Sequence, residues 1–335
     1  MGRLDEVRRA STGMGEVAYV DAANRRLAGM SSEVMSGEVE ILRGDLVRIL
    51  HDATRDVEYL FDDSIASLHP LDGGVRVGFE RREPRRFDLV VGADGLHSQV
   101  RALVFGDESR YLHHLGYTIA IFSTANHLGL DHTGRYYNVP GKLAGIYSAR
   151  DDAEARAIFC FASQPLPHDP RDAARQKQLL AQAFAGEGWE VPRLLAALPS
   201  APDFYFDSVA QIRMDAWSNG RVALLGDAGY CASPLSGQGT GMAVVGAYVL
   251  AGELAEAGGD HRAAFARYEA RMRPYVEECQ KLAIGAGRGF VPATRFQIWL
   301  RNQGLRMLPH TPWKHLVSAG PRKAASAIAL PEYRG

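Results

Sequence analysis

GRVALLGDAGYCASPLSGQGTGMAVVGAYVLAGEL, residues Gly220 to Leu254, is the stretch whose reading decides the fold. Its apolar run from Val222 reads as a short buried strand, Asp227 ends that strand, a Pro/Gly loop follows, and an apolar helix starts near Gly239. Open α/β sheets bind ligands outside the carboxyl ends of their strands, so Asp227 stands where a ligand would sit. An ionised carboxylate only accepts hydrogen bonds, which suits the donors of a sugar diol. Gly237, Gly239 and Gly241 let backbone approach a flat ring or a phosphate, and Pro234, Gln238 and Thr240 belong to the same loop. The helix N-terminus carries partial positive charge and favours an anion there. A simpler reading of the same residues is a tight turn with Asp227 as a helix cap.

A second segment repeats the design. In FDLVVGADGLHSQVR, Phe87 to Arg101, a continuous apolar run predicts a strand buried on both faces, closed by Asp94 and Gly95. Ser98 and Arg101 follow one turn apart, which suits either a dinucleotide's phosphates and sugars or a surface Asp/Arg pair.

Outward from these two segments, VAYVD near residue 17 predicts a strand and LRGDLVRILHDAT a helix. VEYLF, SIASLHP and VRVGF predict a small antiparallel sheet. Between about Tyr111 and Met214 the pattern turns to alternating aromatic-rich segments such as RYYNV, AIFCFA and FYFDSVAQI, interrupted by one helix over Arg171–Ala185. Helices near Arg262–Leu282 and Ala293–Met307 close the chain, with Gly285-Ala286-Gly287-Arg288-Gly289 as a helix break between them. The class is therefore α/β with α+β character, a β-rich domain being inserted between the two buried strands.

The 335 residues are 46% hydrophobic and 23% charged, an ordinary globular composition, and the net charge of -1 favours neither nucleic acid nor an anionic membrane as partner. Cys160, Cys231 and Cys279 are widely spaced and match no disulfide or metal pattern, which predicts free thiols and a cytoplasmic setting. The apolar part of the uncharged stretch Ala228–Gly252, Met242 to Leu250, is too short to span a bilayer. The His113-His114 pair belongs to no metal constellation.

Together the two strand-Asp segments resemble the DG and GD fingerprints of flavoprotein monooxygenases with the p-hydroxybenzoate hydroxylase fold, and their order and spacing agree. EILRGDLVRIL resembles the family segment whose Arg reaches the flavin, which is Arg43 here, although an exposed helix-terminal Arg reads equally well without the family. The likeness runs over essentially the whole chain and is nearest to bacterial hydroxylases of polycyclic aromatic or tetracycline-like compounds. It implies a Rossmann-like three-layer FAD/NAD(P)-binding domain in two parts (1–105 and 215–280), an inserted substrate domain (106–214), and a C-terminal helix and tail (281–335). It implies FAD as cofactor, bound by Arg43, Asp94, Gly95, Asp227, Pro234 and Gly237 to Gly241, with NAD(P)H as transient electron donor. It also implies hydroxylation of an aromatic small molecule by O2 through a flavin C4a-hydroperoxide, with no committed catalytic side chain, in a monomer or homodimer.

The sequence departs from that family in carrying no strand-GxGxxG-helix unit at its start, which the pyrophosphate normally needs. A start assigned too far downstream is the expectation, with a flavin-deficient remnant that binds a hydrophobic small molecule as the alternative. Gly246 stands where many relatives carry Asp, and Gly229 where Ala is common. The absence of a WxWxIP-like segment argues against a halogenase. Tyr117, Phe122, Tyr136, Tyr137, Tyr147, Phe159 and Phe161 are candidates for a substrate pocket, although alternating aromatics are more often core.

Overall fold

The computed structural model describes residues 2–31, 39–148, 154–166, 172–308, 320, 323–324 and 326–333. The chain divides into two compact units, Met1–Val57 with Gly116–Val209 and Gly287–Ser318, and Glu58–Leu115 with Ala210–Ala286 and Ala319–Gly335. The resemblance implies borders after 105, 214 and 280; the compact units group the first 57 residues with the β-rich segment. The cause is strand pairing, because Glu16–Val20 lies parallel to Gly134–Val139, with Val17 opposite Gly134 and Val20 opposite Tyr137.

The first unit holds most of a seven-stranded sheet whose strands run Phe204–Ile212, Leu112–Ala125, Glu154–Ala162, Lys142–Tyr147, Gly134–Val139, Glu16–Val20 and Arg26–Ser31. Its alternating residues bury Phe122, Phe159, Phe161, Phe206 and Ile146 against the helices Ala173–Ala183 and Val191–Ala197, which add Leu180, Phe184 and Leu194. Phe184 meets Phe159 edge-on at 4.8 Å. Most of the aromatic pocket candidates are therefore core: Phe122 and Phe159 are fully buried, and Tyr136 and Phe161 nearly so. Where one helix was expected there are two, Asp172 capping the first through the Arg175 amide; Arg171 lies outside the described residues.

The second unit holds two small sheets. Val90–Gly92 and Val222–Leu224 pair in parallel, Val90 opposite Val222 and Gly92 opposite Leu224, with Ser218–Asn219 antiparallel on the outer side. Ile65–Leu71, Gly74–Phe79 and Arg85–Phe87 form the antiparallel sheet. VEYLF is not one of its strands: Val57, Tyr59 and Phe61 share a face that stays exposed, and Asp63 turns the chain by accepting from the Ser64 and Arg81 amides. Nor is Val90–Gly92 buried on both faces. Val90 and Gly92 pack under Val100, but Val91 is 40% exposed on the other side.

The glycine-rich run at 285–289 does not break a helix either, since one helix spans His261–Phe290. Met272, Val276, Cys279 and Ala283 are buried at three- and four-residue spacing, and that stripe outweighs the ~1 kcal/mol that each glycine costs. Helix Arg295–Met307 starts on a Thr294 cap, its hydroxyl accepting from the Gln297 amide. Among the described residues no helix is long and apolar enough to cross a membrane.

Candidate functional site

The two parallel strands of the second unit end at the same level, where the Leu225 amide donates to the Gly92 carbonyl at 2.8 Å. From that edge one chain leaves through Asp94 and Gly95, the other through Gly226 and Asp227. Gly95 and Gly226 both have positive φ, 84° and 64°, which L side chains rarely adopt, so glycine is needed at both exits. The expected residues Asp94, Gly95, Asp227, Pro234, Gly237, Gln238, Gly239, Thr240 and Gly241 all belong to this unit, whereas Arg43 belongs to the other, exposed at the first position of helix Arg43–Asp52.

The two aspartates do different work. Asp94 has spent both oxygens: one accepts from the Ser98 hydroxyl at 2.5 Å and the other from the Val100 amide at 2.9 Å. Together with Ser98, which accepts from the Arg101 amide, it fixes the start of helix Gln99–Phe105. The carboxylate of Asp227 accepts no hydrogen bond from the described residues, and its Oδ1 lies 3.9 Å from where a Cβ on Gly239 would stand. Gly239 opens the helix Gly239–Glu256, which no side chain caps. A carboxylate with unspent acceptors thus stands close to the start of a helix that no side chain caps, and a polyol attached to an anionic ring satisfies both. The cradle fits a flavin on these grounds.

The loop between them is held under strain. Ser233 is buried with φ 88° and ψ 146°, a conformation costing a non-glycine residue about 1–3 kcal/mol. Its hydroxyl accepts from the Leu235 amide, and Ser236 donates back to its carbonyl at 2.8 Å. These bonds set Pro234 and Gly237 on the exposed rim, Gly237 being left-handed at φ 63°. Ser233 was not a sequence candidate; a serine wedged before Pro234 is the only local signal for it.

Arg101 is the other residue whose role the sequence left undefined. It is fully buried, and its guanidinium donates to the Ala228 carbonyl at 2.9 Å, the Leu96 carbonyl at 2.6 Å and the Glu108 carboxylate. It therefore ties the Asp94 segment to the Asp227 segment from below.

Gly246 and Gly229 also find their reasons here. A Cβ on Gly246 would come within 2.2 Å of the Tyr230 hydroxyl, and one on Gly229 within 3.0 Å of the Leu224 Cβ. Tyr230 is fully buried, 2.9 Å from the Tyr268 hydroxyl, and burial pushes its phenol up to about 12. Gly246→Ala should thus cost about 1–3 kcal/mol by overpacking. Adding Tyr230→Phe, which removes the obstructing oxygen, should recover part of it, and strictly additive urea midpoints for the pair would refute the contact.

The family described as FAD binding domain matches residues 45–283. A flavin-dependent monooxygenase of an unknown prokaryotic organism is 42% identical over 340 residues, covering 99% of this chain and 85% of that protein. The crystal structure of tetracycline destructase Tet(55) superposes with a TM-score of 0.84 at 42% identity, covering 99% of this chain and 84% of that one. Klebsiella pneumoniae HpxO, solved with FAD and uric acid, shares the fold at a TM-score of 0.71 and 21% identity, over 97% and 84% of the two chains. The fold, the cradle between Asp227 and Gly239 and these likenesses agree: the chain belongs to the FAD-dependent group A flavoprotein monooxygenases, oxidoreductases that carry FAD.

Proposed function

We propose that the protein inserts one oxygen atom into an electron-rich polycyclic or phenolic small molecule, consuming NAD(P)H and O2. Substrate C–H, O2, NAD(P)H and one proton give substrate C–OH, NAD(P)+ and water. The observation that carries the reading is the unspent Asp227 carboxylate beside an uncapped helix start. The substrate class rests on the likeness to a tetracycline destructase.

Bound FAD supplies the two-electron redox chemistry and the reaction with O2. What the chain contributes is position. Asp227 would accept from hydroxyls of the flavin's sugar chain, and the helix start at Gly239, Thr240 and Gly241 would favour negative charge on the bound group. Pro234 and Gly237 on the exposed rim, with Gln238 beside them, would line the ring. Asp94 acts through the helix it caps, and Gly95 supplies backbone open to an approaching ligand, with no described residue beyond its chain neighbours within 4 Å of a Cβ placed there. Arg43, exposed at the start of helix Arg43–Asp52, is the residue that the resemblance implies for the flavin.

Asp227→Ala should raise the FAD dissociation constant at least tenfold, because one lost charge-assisted hydrogen bond is worth about 1.5–3 kcal/mol. Flavin fluorescence titration reads this directly. Unchanged affinity would remove Asp227 from the site. The reaction itself is tested by NADPH consumption, which a phenolic substrate should accelerate; indifference to every aromatic offered would refute the hydroxylase reading.

A further inference from the structure

A cavity of about 770 Å³ in the second unit is lined by Arg110, Arg213, Arg273 and Lys281, with Asp215 and Glu277 as the carboxylates among the described lining residues. Its wall starts where the Leu224 amide donates to the Trp217 carbonyl at 2.7 Å. Trp217 is thereby level with the carboxyl end of strand Val222–Leu224, and Asp215, Met214 and Arg213 continue beyond that end, where open α/β sheets receive ligands. Tyr230, one turn after Asp227, lines the same cavity.

Two backbone bonds assemble the basic wall from distant parts of the chain. The Arg213 amide donates to the Tyr111 carbonyl at 3.0 Å, bringing Arg110 and Arg213 together, and the Ile212 amide donates to the Cys231 carbonyl at 3.0 Å. Arg273 is committed elsewhere, donating to the Met214 and Asp215 carbonyls and lying 4.6 Å over the Trp217 ring. Arg213 uses Nε and Nη2 on the Gln211 side-chain oxygen, so Nη1 has no partner among the described residues; Arg110 uses only Nη1, on the Phe105 carbonyl. Both side chains are thus oriented from one end with N–H groups left over, which is what a phosphate oxygen needs. Ile284, 51% exposed, and Tyr111 give the cavity an apolar flank beside those donors. A basic wall with an apolar flank fits a nucleotide better than a bare anion.

We propose that this cavity receives the phosphate-bearing end of the dinucleotide that reduces the flavin, Arg110 and Arg213 holding the phosphates. This rests on NAD(P)H being the reductant, as read above. Arg110→Gln and Arg213→Gln are surface changes that leave the core intact. Each should raise the KM for NADPH about tenfold, the value of one charge-assisted hydrogen bond, while FAD affinity and flavin reduction by dithionite, which needs no nucleotide site, keep their parent values. ADP-ribose should compete with NADPH far better than inorganic pyrophosphate at equal concentration.

An unchanged KM in the double variant would overturn the proposal. So would equal competition by pyrophosphate, which marks a general anion site. If the parent protein with FAD is reduced by dithionite but not by NADPH, the reading of the reductant fails on its own. Calorimetric titration of ADP-ribose then decides the cavity, binding lost in the double variant supporting it and no binding overturning it.

Discussion

Arg101→Ala is expected to cost about 3–5 kcal/mol of folding free energy and to weaken flavin binding with it. Arg101 is fully buried and serves the Ala228 and Leu96 carbonyls and the Glu108 carboxylate at once. Truncation leaves three acceptors without their donor, two of them on the segments that carry Asp94 and Asp227. Burial pulls the guanidinium below its ordinary pKa, and Glu108 and Asp94 oppose that pull, so the residue stays charged through the working range. Arg101→Lys should recover little, because a point ammonium cannot serve Ala228 and Glu108 together as the fork does. Urea unfolding followed by tryptophan fluorescence measures the first effect and FAD titration the second. A loss under about 1 kcal/mol would show that the Arg101 contacts are not what joins the segments.

The second large effect lies at the far end of helix Gly239–Glu256. Glu253 is fully buried there, held by Arg267 and Arg271 through their Nε atoms and by the Tyr333 hydroxyl at 2.9 Å. Burial raises its carboxyl pKa, and the hydrogen bonds from Arg267, Tyr333 and Arg271 outweigh burial and hold it below the ordinary value of 4.5. Arg267→Ala combined with Arg271→Ala strands a buried charge and should cost about 3–5 kcal/mol at neutral pH. The pH dependence follows from the sign. A depressed pKa stabilises above the unfolded value, so the parent loses this contribution as pH falls below about 4.5. In the double variant, burial with only the Tyr333 hydroxyl left as partner raises the carboxyl pKa instead, and protonation relieves it. The gap between the two proteins should therefore narrow on acidification, and a gap that widens would contradict the assignment.

The same network fixes the tail. A Cβ on Gly252 would fall 2.1 Å from the Tyr333 ring, whose neighbour Tyr248 donates to the Pro331 carbonyl at 2.8 Å. Gly252→Val should release Tyr333 from its slot, read as faster proteolysis of the C-terminal residues.

What was legible in the sequence is the chemistry written over short distances. Strand Val222–Leu224, the acid after it, the loop at Pro234 and the helix start at Gly239 are neighbours in the chain, and each has its own residue signature. Pairing is not written that way. VEYLF alternates as a strand should, yet Arg85–Phe87 takes the place beside Gly74–Phe79. Nothing near Glu16–Val20 announces its parallel partner more than a hundred residues on. The 285–289 glycines read as a break because the buried stripe at 272, 276, 279 and 283 is visible only when packed. Asp94 and Asp227 look alike in sequence. Only the contacts show that Asp94 is consumed by its own helix while Asp227 stays open.

The most direct test of the account is oxygen transfer itself. The purified chain, loaded with FAD and given NADPH, tetracycline as probe substrate and 18O2, is analysed by mass spectrometry for label in the product. Incorporation of one 18O atom, with NADPH consumed and the yield falling in Asp227→Ala, is the result expected of a monooxygenase built on this cradle. Flavin bound and reduced, with no label entering tetracycline or any related polycyclic phenol, would contradict it.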